Sequence, residues 1–158
     1  MNEKEMLTQV RGKEFPITLR VVKAFPGDKA DFKPHERSRS AKELAFTLAN
    51  EQLIAVQALE GAVDFSKLPS QSPETMEEIL TLYQKNHSTA DEAIKNASEE
   101  ALNRMVKFGS MDLRAIDVIW FMLMDSVHHR GQFSVYIRMA GGKVPSIYGP
   151  SADDTLGM

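Results

Sequence analysis

Residues 112–139 read DLRAIDVIWFMLMDSVHHRGQFSVYIRM, and this stretch decides the fold class. Apolar side chains recur at helical spacing along its whole length, and glycines follow it at positions 141 and 142, as they commonly do at the end of a helix. The stretch therefore predicts one long α-helix. Its longest apolar run, residues 116–124, contains Asp117 and is far shorter than the roughly 20 residues that cross a membrane. We expect a core helix rather than a membrane span.

The first of three further helices is predicted at residues 2–24. Its apolar side chains keep mostly helical spacing, but Pro16 predicts a break or kink, because proline removes a backbone hydrogen bond. Residues 25–40 contain two prolines, one glycine and many charged side chains, a composition typical of a surface connection. A connection of this length can join helices at the same end or at opposite ends of a bundle.

The second and third helices are marked by their first turns. Ser40 precedes the second helix, and Glu43 stands where it completes a capping box with the serine. The apolar positions of this helix continue to about Glu60. The third helix is expected to start near residues 72–73, a serine followed by a proline, and to end near Ser98.

Two segments carry no helical pattern. Residues 102–109 fit either a short extended piece or a loop that folds over the bundle, and residues 143–158 predict an irregular tail. Four long amphipathic helices without strand-like alternation predict an all-α fold, a four-helix bundle that forms a single domain over residues 1–158. The long connection between the first two helices permits an order other than simple up-and-down.

The composition indicates a domain that is held together by packing alone. The chain has 158 residues, of which 42% are hydrophobic and none is cysteine, so disulfides, thiolate metal ligands and cysteine nucleophiles are excluded. The net charge is −3 with basic residues dispersed among acidic ones, which argues against nucleic-acid binding. Residues 1–5 show no signal-peptide pattern, so we expect a cytoplasmic protein.

The last helix places polar side chains inside an apolar segment. Asp125, His129 and Gln132 fall on one helical face together with Tyr136, where polar groups bury poorly unless they are paired or ligated. An aspartate and a histidine four residues apart project side by side, as metal ligands from successive helical turns do. The same spacing also fits a plain hydrogen bond between the two side chains, without a metal. The aromatic residues upstream, among them Phe121, are expected to be core.

The C-terminal region resembles DinB-like proteins, which are bacterial metalloenzymes distinct from the translesion polymerase of the same name. The resemblance is carried by HHRGQ at 128–132, SVYIR at 134–138 and VPSIYGPS at 144–151, and residues 38–51 look like the second helix of that family. The family resemblance implies a four-helix bundle that is often a homodimer. It also implies a metal site of three histidines, one on the second helix and two at positions i and i+4 on the last.

The resemblance assigns the last of these histidines to His129, the preceding ligand position to Asp125 and the second-helix position to Thr47. A carboxylate can replace an imidazole on zinc or nickel, but a neutral threonine hydroxyl is a poor ligand. Two good ligands make a weak site, so the sequence favours a site without a cation over a zinc or nickel site. A third donor is open to three residues: Glu51, His87 or His35.

Two functions follow from the resemblance, and both place the site between the second and the last helix. The first is a metal-dependent hydrolase or thiol-dependent transferase that acts on a small molecule, with Asp125 and His129 as ligands and Gln132 and Tyr136 orienting the substrate. The second is a non-catalytic, metal-free protein that binds a small ligand or a partner in the same pocket. The remaining residues expected in this pocket are Thr47 and Glu51.

Overall fold

Four long helices dominate the computed structural model, which describes residues 1–155. The elements along the chain are α1 (Glu3–Lys23), α2 (Ala41–Glu60), α3 (Met76–Asn96), the short α4 (Glu99–Asn103), the strands β1 (Met105–Phe108) and β2 (Met111–Arg114), and α5 (Ala115–Met139). The predicted helical bundle is confirmed, with one small hairpin added to it. None of the helices in the described part of the chain is long and apolar enough to cross a membrane.

The start of α2 follows from its local sequence, as predicted. The hydroxyl of Ser40 accepts a hydrogen bond from the Glu43 amide at 3.2 Å, and the Glu43 carboxylate accepts one from the Ser40 amide at 2.6 Å. These reciprocal bonds satisfy two amides that have no partner inside the helix. The helix ends at Gly61, whose φ of 102° lies in the left-handed region that glycine adopts without steric cost.

The first and third helices differ from the predictions. Helix α1 continues through Pro16, so the predicted alternative of a break is wrong, since one lost hydrogen bond is tolerated where the helix packs through side chains such as Leu7 and Val21, both fully buried. Helix α3 begins after Thr75 rather than near Ser72. Thr75 and Glu78 form the same reciprocal capping pair that starts α2, and this pair takes precedence over the serine–proline signal.

The ambiguous segment before α5 is the hairpin. Val106 lies opposite Leu113 in the antiparallel pair, and Gly109 at the turn has a φ of 60°. Residues 111–114 pair with β1, so α5 begins at Ala115 and not at the predicted position 112. The hairpin packs Val106 and Phe108 into the apolar cluster between α2 and α5.

The bundle has its core between α2, α3 and α5. Helix α2 packs against α3 and α5, and α1 packs against the same two helices from the other side, so α1 and α2 lie diagonally opposite. The long connection before α2 is therefore the crossing between diagonal positions. Residues 143–155 form the predicted irregular tail, while 156–158 lie outside the described residues. The tail returns to the bundle, where Tyr148 contacts the buried Arg130.

Candidate functional site

The site lies where α2 faces α5, and Glu51 of α2 is its most buried member, with 3% of its side chain exposed. Oε1 of Glu51 lies 2.5 Å from Nδ1 of His129, while Oε2 accepts a hydrogen bond from the hydroxyl of Ser126 at 2.6 Å. Asp125 stands one turn before His129, and its Oδ2 is 3.8 Å from the same Nδ1. Because 3.8 Å exceeds hydrogen-bonding distance, the hydrogen bond of His129 goes to Glu51 and not to Asp125.

The electrostatics of the pair reflect its burial. Removal from water raises the pKa of the Glu51 carboxyl, although the hydrogen bonds from His129 and Ser126 act in the opposite direction. The hydrogen bond with Glu51 raises the pKa of His129, against the smaller effect of its own burial. The two side chains therefore hold a proton between them in a low-dielectric pocket that opens toward Asp125, whose side chain is 35% exposed.

The donor set fits a divalent cation. Glu51, Asp125 and His129 each offer one ligand atom, and these three atoms all lie within 4.8 Å of one another. Two carboxylates and one imidazole are ligands that zinc and other divalent first-row cations accept, and the two negative charges match the charge of the ion. The three donors come from two packed helices, which is how bundle proteins build metal sites in their cores.

The three candidates for a third donor occupy different places. Glu51 lies beside His129, as described above. His35 is exposed and accepts a hydrogen bond from the Arg37 amide at 3.1 Å. His87 lies in a separate cluster in the bundle interior. Of these three residues, Glu51 is the one that the packing of α2 on α5 brings to His129.

Thr47, to which the resemblance assigns the second-helix position, borders the phenylalanine cavity but is not among the three clustered donors. Its hydroxyl donates to the Glu43 carbonyl at 3.0 Å and accepts from the guanidinium of Arg39 at 2.9 Å. Both of its hydrogen-bonding functions are therefore directed toward the start of α2. The sequence assigned no role to Arg39, which lies in the irregular connection before that helix.

Two cavities meet at His129. One, of about 410 Å³, is bordered by Glu51, Asp125 and His129 and by three phenylalanines. We call it the phenylalanine cavity, after Phe65, Phe108 and Phe121. The other, of about 510 Å³, is bordered by Gln132 and Tyr136, and we call it the tyrosine cavity. Arg39 borders both cavities. The single pocket expected from the sequence is thus divided, with Thr47 and Glu51 in one part and Gln132 and Tyr136 in the other.

The side chains of the tyrosine cavity already have partners. The hydroxyl of Tyr136 donates to the Arg39 carbonyl at 3.0 Å, and the amide nitrogen of Gln132 lies 2.7 Å from Nε2 of His128.

Phe121 differs from its expected place in the core, because it is 48% exposed and borders the phenylalanine cavity. Helical periodicity alone cannot distinguish a core position from a position at the edge of a cavity. The cavity is formed in part by the hairpin, which the periodicity of α5 does not describe.

A second polar cluster lies between α1, α2 and α3. Arg11, which is 3% exposed, binds Asp91 at 3.2 Å and Gln52 at 2.9 Å. His87 stacks on Phe15 with 3.7 Å between ring centroids. Burial, together with the positive charge of Arg11, lowers the pKa of His87 to about 4, although Asp91 acts in the opposite direction. The imidazole in this cluster is therefore neutral at pH 7.

Comparisons with known proteins agree with the fold. The DinB-like protein YjoA of Bacillus subtilis superposes with a TM-score of 0.72 at 20% identity, covering 86% of this chain and 92% of that one. A DinB-like protein of Bacillus cereus ATCC 10987 gives a TM-score of 0.75 at 17% identity, with 91% and 97% covered. At such identities the similarity shows the fold alone.

Sequence comparison establishes the family. YrdA of Bacillus subtilis (strain 168), described as an uncharacterized protein, is 28% identical over 83 residues. That match spans 52% of this chain and only half the length of YrdA. A family model described as the DinB family matches residues 1–155, nearly the whole chain. The chain therefore belongs to the DinB family.

Proposed function

We propose that this protein is a metal-dependent enzyme, a hydrolase or a thiol-dependent transferase, that acts on a small molecule bound beside His129. One observation carries the proposal: the packing of α2 on α5 brings Glu51 to Asp125 and His129, so that three ligand atoms lie within 4.8 Å of one another. Glu51 supplies the third donor that the family position at Thr47 lacks. The cavities on either side of His129 provide room for substrates.

The proposed ligands are Glu51, Asp125 and His129. When bound, the cation would supply Lewis-acid chemistry, polarising a carbonyl group or activating a water molecule. Ser126 holds Oε2 of Glu51 and thereby keeps Oε1 directed at His129. Asp125 is the most exposed of the three, and it borders the phenylalanine cavity. Gln132 and Tyr136 would orient a substrate from the tyrosine cavity.

The donor set also bears on which cation binds. The family resemblance implies zinc or nickel bound by imidazoles. Here two of three nitrogen donors are replaced by carboxylate oxygens, which shifts the preference toward harder ions, so manganese is expected to compete better against zinc and nickel than at three histidines. The proposal is therefore tested with zinc, manganese and nickel.

A second candidate function is a metal-free protein that binds a small ligand in the same cavities. The contact between Glu51 and His129 favours it, because a pair at 2.5 Å satisfies the buried carboxylate without a cation. The hydroxyl of Ser126 satisfies the other oxygen. This arrangement is complete as a hydrogen-bonded pocket, and under this candidate the protein folds and binds its ligand equally well after treatment with a chelator.

Elemental mass spectrometry of tag-free protein, purified without chelators, separates the two candidates. The enzyme proposal predicts close to one ion per chain, either as purified or after addition of zinc, manganese or nickel. Asp125→Ala and His129→Ala should each lose the ion. His128→Ala is the matched control, because His128 is exposed and pairs with Gln132 instead. Wild-type protein that takes up none of the three metals would exclude the enzyme proposal and support the metal-free candidate.

A further inference from the structure

Three phenylalanine rings from three separate elements meet at one wall of the phenylalanine cavity. Phe65 comes from the short turn after α2, Phe108 from β1 and Phe121 from α5. The Phe108 ring centroid lies 5.6 Å from that of Phe65 and 5.3 Å from that of Phe121, with the planes inclined by about 60° in both pairs. The chain thus assembles a continuous aromatic surface from residues far apart in sequence.

This aromatic surface is only partly covered by the protein itself. Phe108 is 8% exposed, but Phe65 and Phe121 are 49% and 48% exposed. Large apolar side chains that remain in contact with water at one place commonly mark a binding site. The cavity volume of about 410 Å³ falls within the roughly 300–1,000 Å³ typical of small-molecule pockets.

A guanidinium group borders the same cavity. Arg39 is exposed and donates one hydrogen bond, to the hydroxyl of Thr47. Among the described residues it makes no direct ion pair with a carboxylate, so most of its donors are available. A guanidinium with free donors binds a carboxylate or a similar planar anion through two parallel hydrogen bonds.

We propose that the phenylalanine cavity binds an aromatic monoanion, with its ring against Phe108 and Phe121 and its anionic group at Arg39. The inclined rings leave faces and edges that suit another aromatic ring better than an aliphatic chain. Glu51 and Asp125 repel an anion, whereas the guanidinium of Arg39 attracts one, so the anionic group belongs at Arg39. The inference rests on the proposed function in two respects: a cation held by the two carboxylates strengthens binding, and the rest of the ligand is directed to the Glu51–Asp125–His129 site.

The probe for this inference is 2-naphthoate, with the neutral 2-naphthylmethanol as comparator, and binding is measured by ligand-observed NMR and calorimetry with and without zinc. Phe121→Ala is expected to weaken both probes about tenfold, through loss of a ring contact and its buried area. Arg39→Gln is expected to weaken naphthoate about fivefold or more and to leave naphthylmethanol unchanged, as loss of a charge-assisted hydrogen bond does.

Matched controls are available for both variants. Met124 lies on α5 and is 52% exposed, and Arg37 is an exposed arginine two residues before Arg39. Met124→Ala and Arg37→Gln should bind both probes as the wild type does. Each substituted side chain is exposed, so the folds of all four variants are expected to persist, and circular dichroism checks this.

Three outcomes would overturn the inference: no binding of naphthoate by the wild type, unchanged binding by Phe121→Ala, or unchanged naphthoate binding by Arg39→Gln. If Phe121→Ala keeps its probe binding but changes the molar mass measured by light scattering, the aromatic surface is instead a contact between copies of the chain. Metal uptake is measured on the same samples. Probe binding without metal uptake would contradict the proposed function alone, and metal uptake without probe binding would contradict this inference alone.

Discussion

Neighbouring residues of α2, Glu51 and Gln52, belong to two polar clusters with different properties. Glu51 joins His129 beside an open cavity that Asp125 also borders. Gln52 joins His87, Arg11 and an aspartate in the interior, where Phe15 covers the imidazole. Both clusters contain one histidine with carboxylate groups nearby, so a sequence pattern does not distinguish one cluster from the other.

The charges around each imidazole account for the difference. His129 faces two carboxylates, Glu51 above all, which raise its pKa and, together with its ring nitrogen, place three ligand atoms within 4.8 Å of one another. His87 faces the guanidinium of Arg11, which takes the position that a cation would need. Burial is the main cause of the lowered pKa of His87, and the charge of Arg11 lowers that pKa further. In this chain His87 is therefore the weaker metal candidate of the two, because the neighbouring carboxylate of Asp91 already pairs with Arg11.

The largest effect is expected from breaking the interior cluster. Arg11→Met leaves Asp91 and Gln52 without their buried partner and should lower the free energy of unfolding by about 3 kcal/mol, the low end for a broken buried ion pair because Asp91 retains some contact with water. Urea denaturation measures this value. Arg37→Met, at an exposed position, should change it by no more than about 0.5 kcal/mol. Equal effects of the two variants would show that the interior pair contributes little.

The proposed metal site of Glu51, Asp125 and His129, which we call the open cluster, is tested by comparing Glu51→Gln with His87→Gln. Loss of the Glu51 carboxylate should weaken zinc or manganese binding more than the roughly 10- to 100-fold that loss of a ligand's hydrogen-bonding neighbour costs. The His87 variant should bind metal within about twofold of the wild type, because loss of a residue that is not a ligand removes no metal bond. Competition with a chromophoric chelator gives both affinities. Weaker binding in the His87 variant alone would assign the metal to the interior cluster.

The two clusters should also differ in how they respond to acid. His87 has a pKa of about 4 in the folded protein and about 6.5 when unfolded, so the unfolded chain binds more protons between these values. The free energy of unfolding should therefore fall as the pH decreases from about 6.5 to about 4, and this contribution is absent above that window. Asp91 opposes the shift, and Arg11 and Lys95 add to it.

His87→Gln isolates this contribution from the rest of the chain. Carboxylates with lowered pKa values, such as Asp117, also contribute less stability on acidification, but only below their unfolded pKa and equally in both proteins. The variant should show a smaller decrease in its urea midpoint between pH 7 and pH 5 than the wild type does. Parallel curves for the two proteins would contradict a neutral, buried His87.

The smallest effect is expected at the rim of the open cluster. Thr47→Val removes a hydroxyl that bonds Arg39 and the Glu43 carbonyl, so stability should decrease by less than about 1 kcal/mol. Metal affinity should stay within about twofold, since a hydroxyl is a poor metal ligand. Calorimetric titration with zinc measures it. A tenfold loss would instead make Thr47 a ligand, in the position that the family pattern implies.

Local sequence signals predicted the fold well where the interactions are themselves local. The capping box of Ser40 and Glu43 starts α2 as expected, because its partners are three residues apart. The sequence does not decide between a hairpin and a loop before α5, since strands of four residues carry too little alternation to be recognised. The uninterrupted course of α1 through Pro16 depends on packing against other helices, which no local pattern contains.

The site was predictable only in part for the same reason. Helical spacing brought Asp125 to His129, but it could not choose Glu51 among three possible third donors, because that choice depends on how α2 packs on α5. Arg39 and Phe65 lie in irregular connections and have no periodicity to place them. The homodimer and the cytoplasmic location expected from the sequence stay predictions.

The anchoring of the tail has a consequence for folding during synthesis. Arg130 is 1% exposed, and its guanidinium is held by Glu14 of α1 at 2.6 Å and by the hydroxyl of Tyr148 in the tail. Tyr148 also donates to Glu14, across 134 residues of sequence, at 2.8 Å. On the ribosome, α1 emerges long before either partner, so the contacts among these three side chains form only after Tyr148 has been synthesised. Until then α1 lacks these two partners in the bundle, and folding intermediates that expose apolar surface are prone to aggregate.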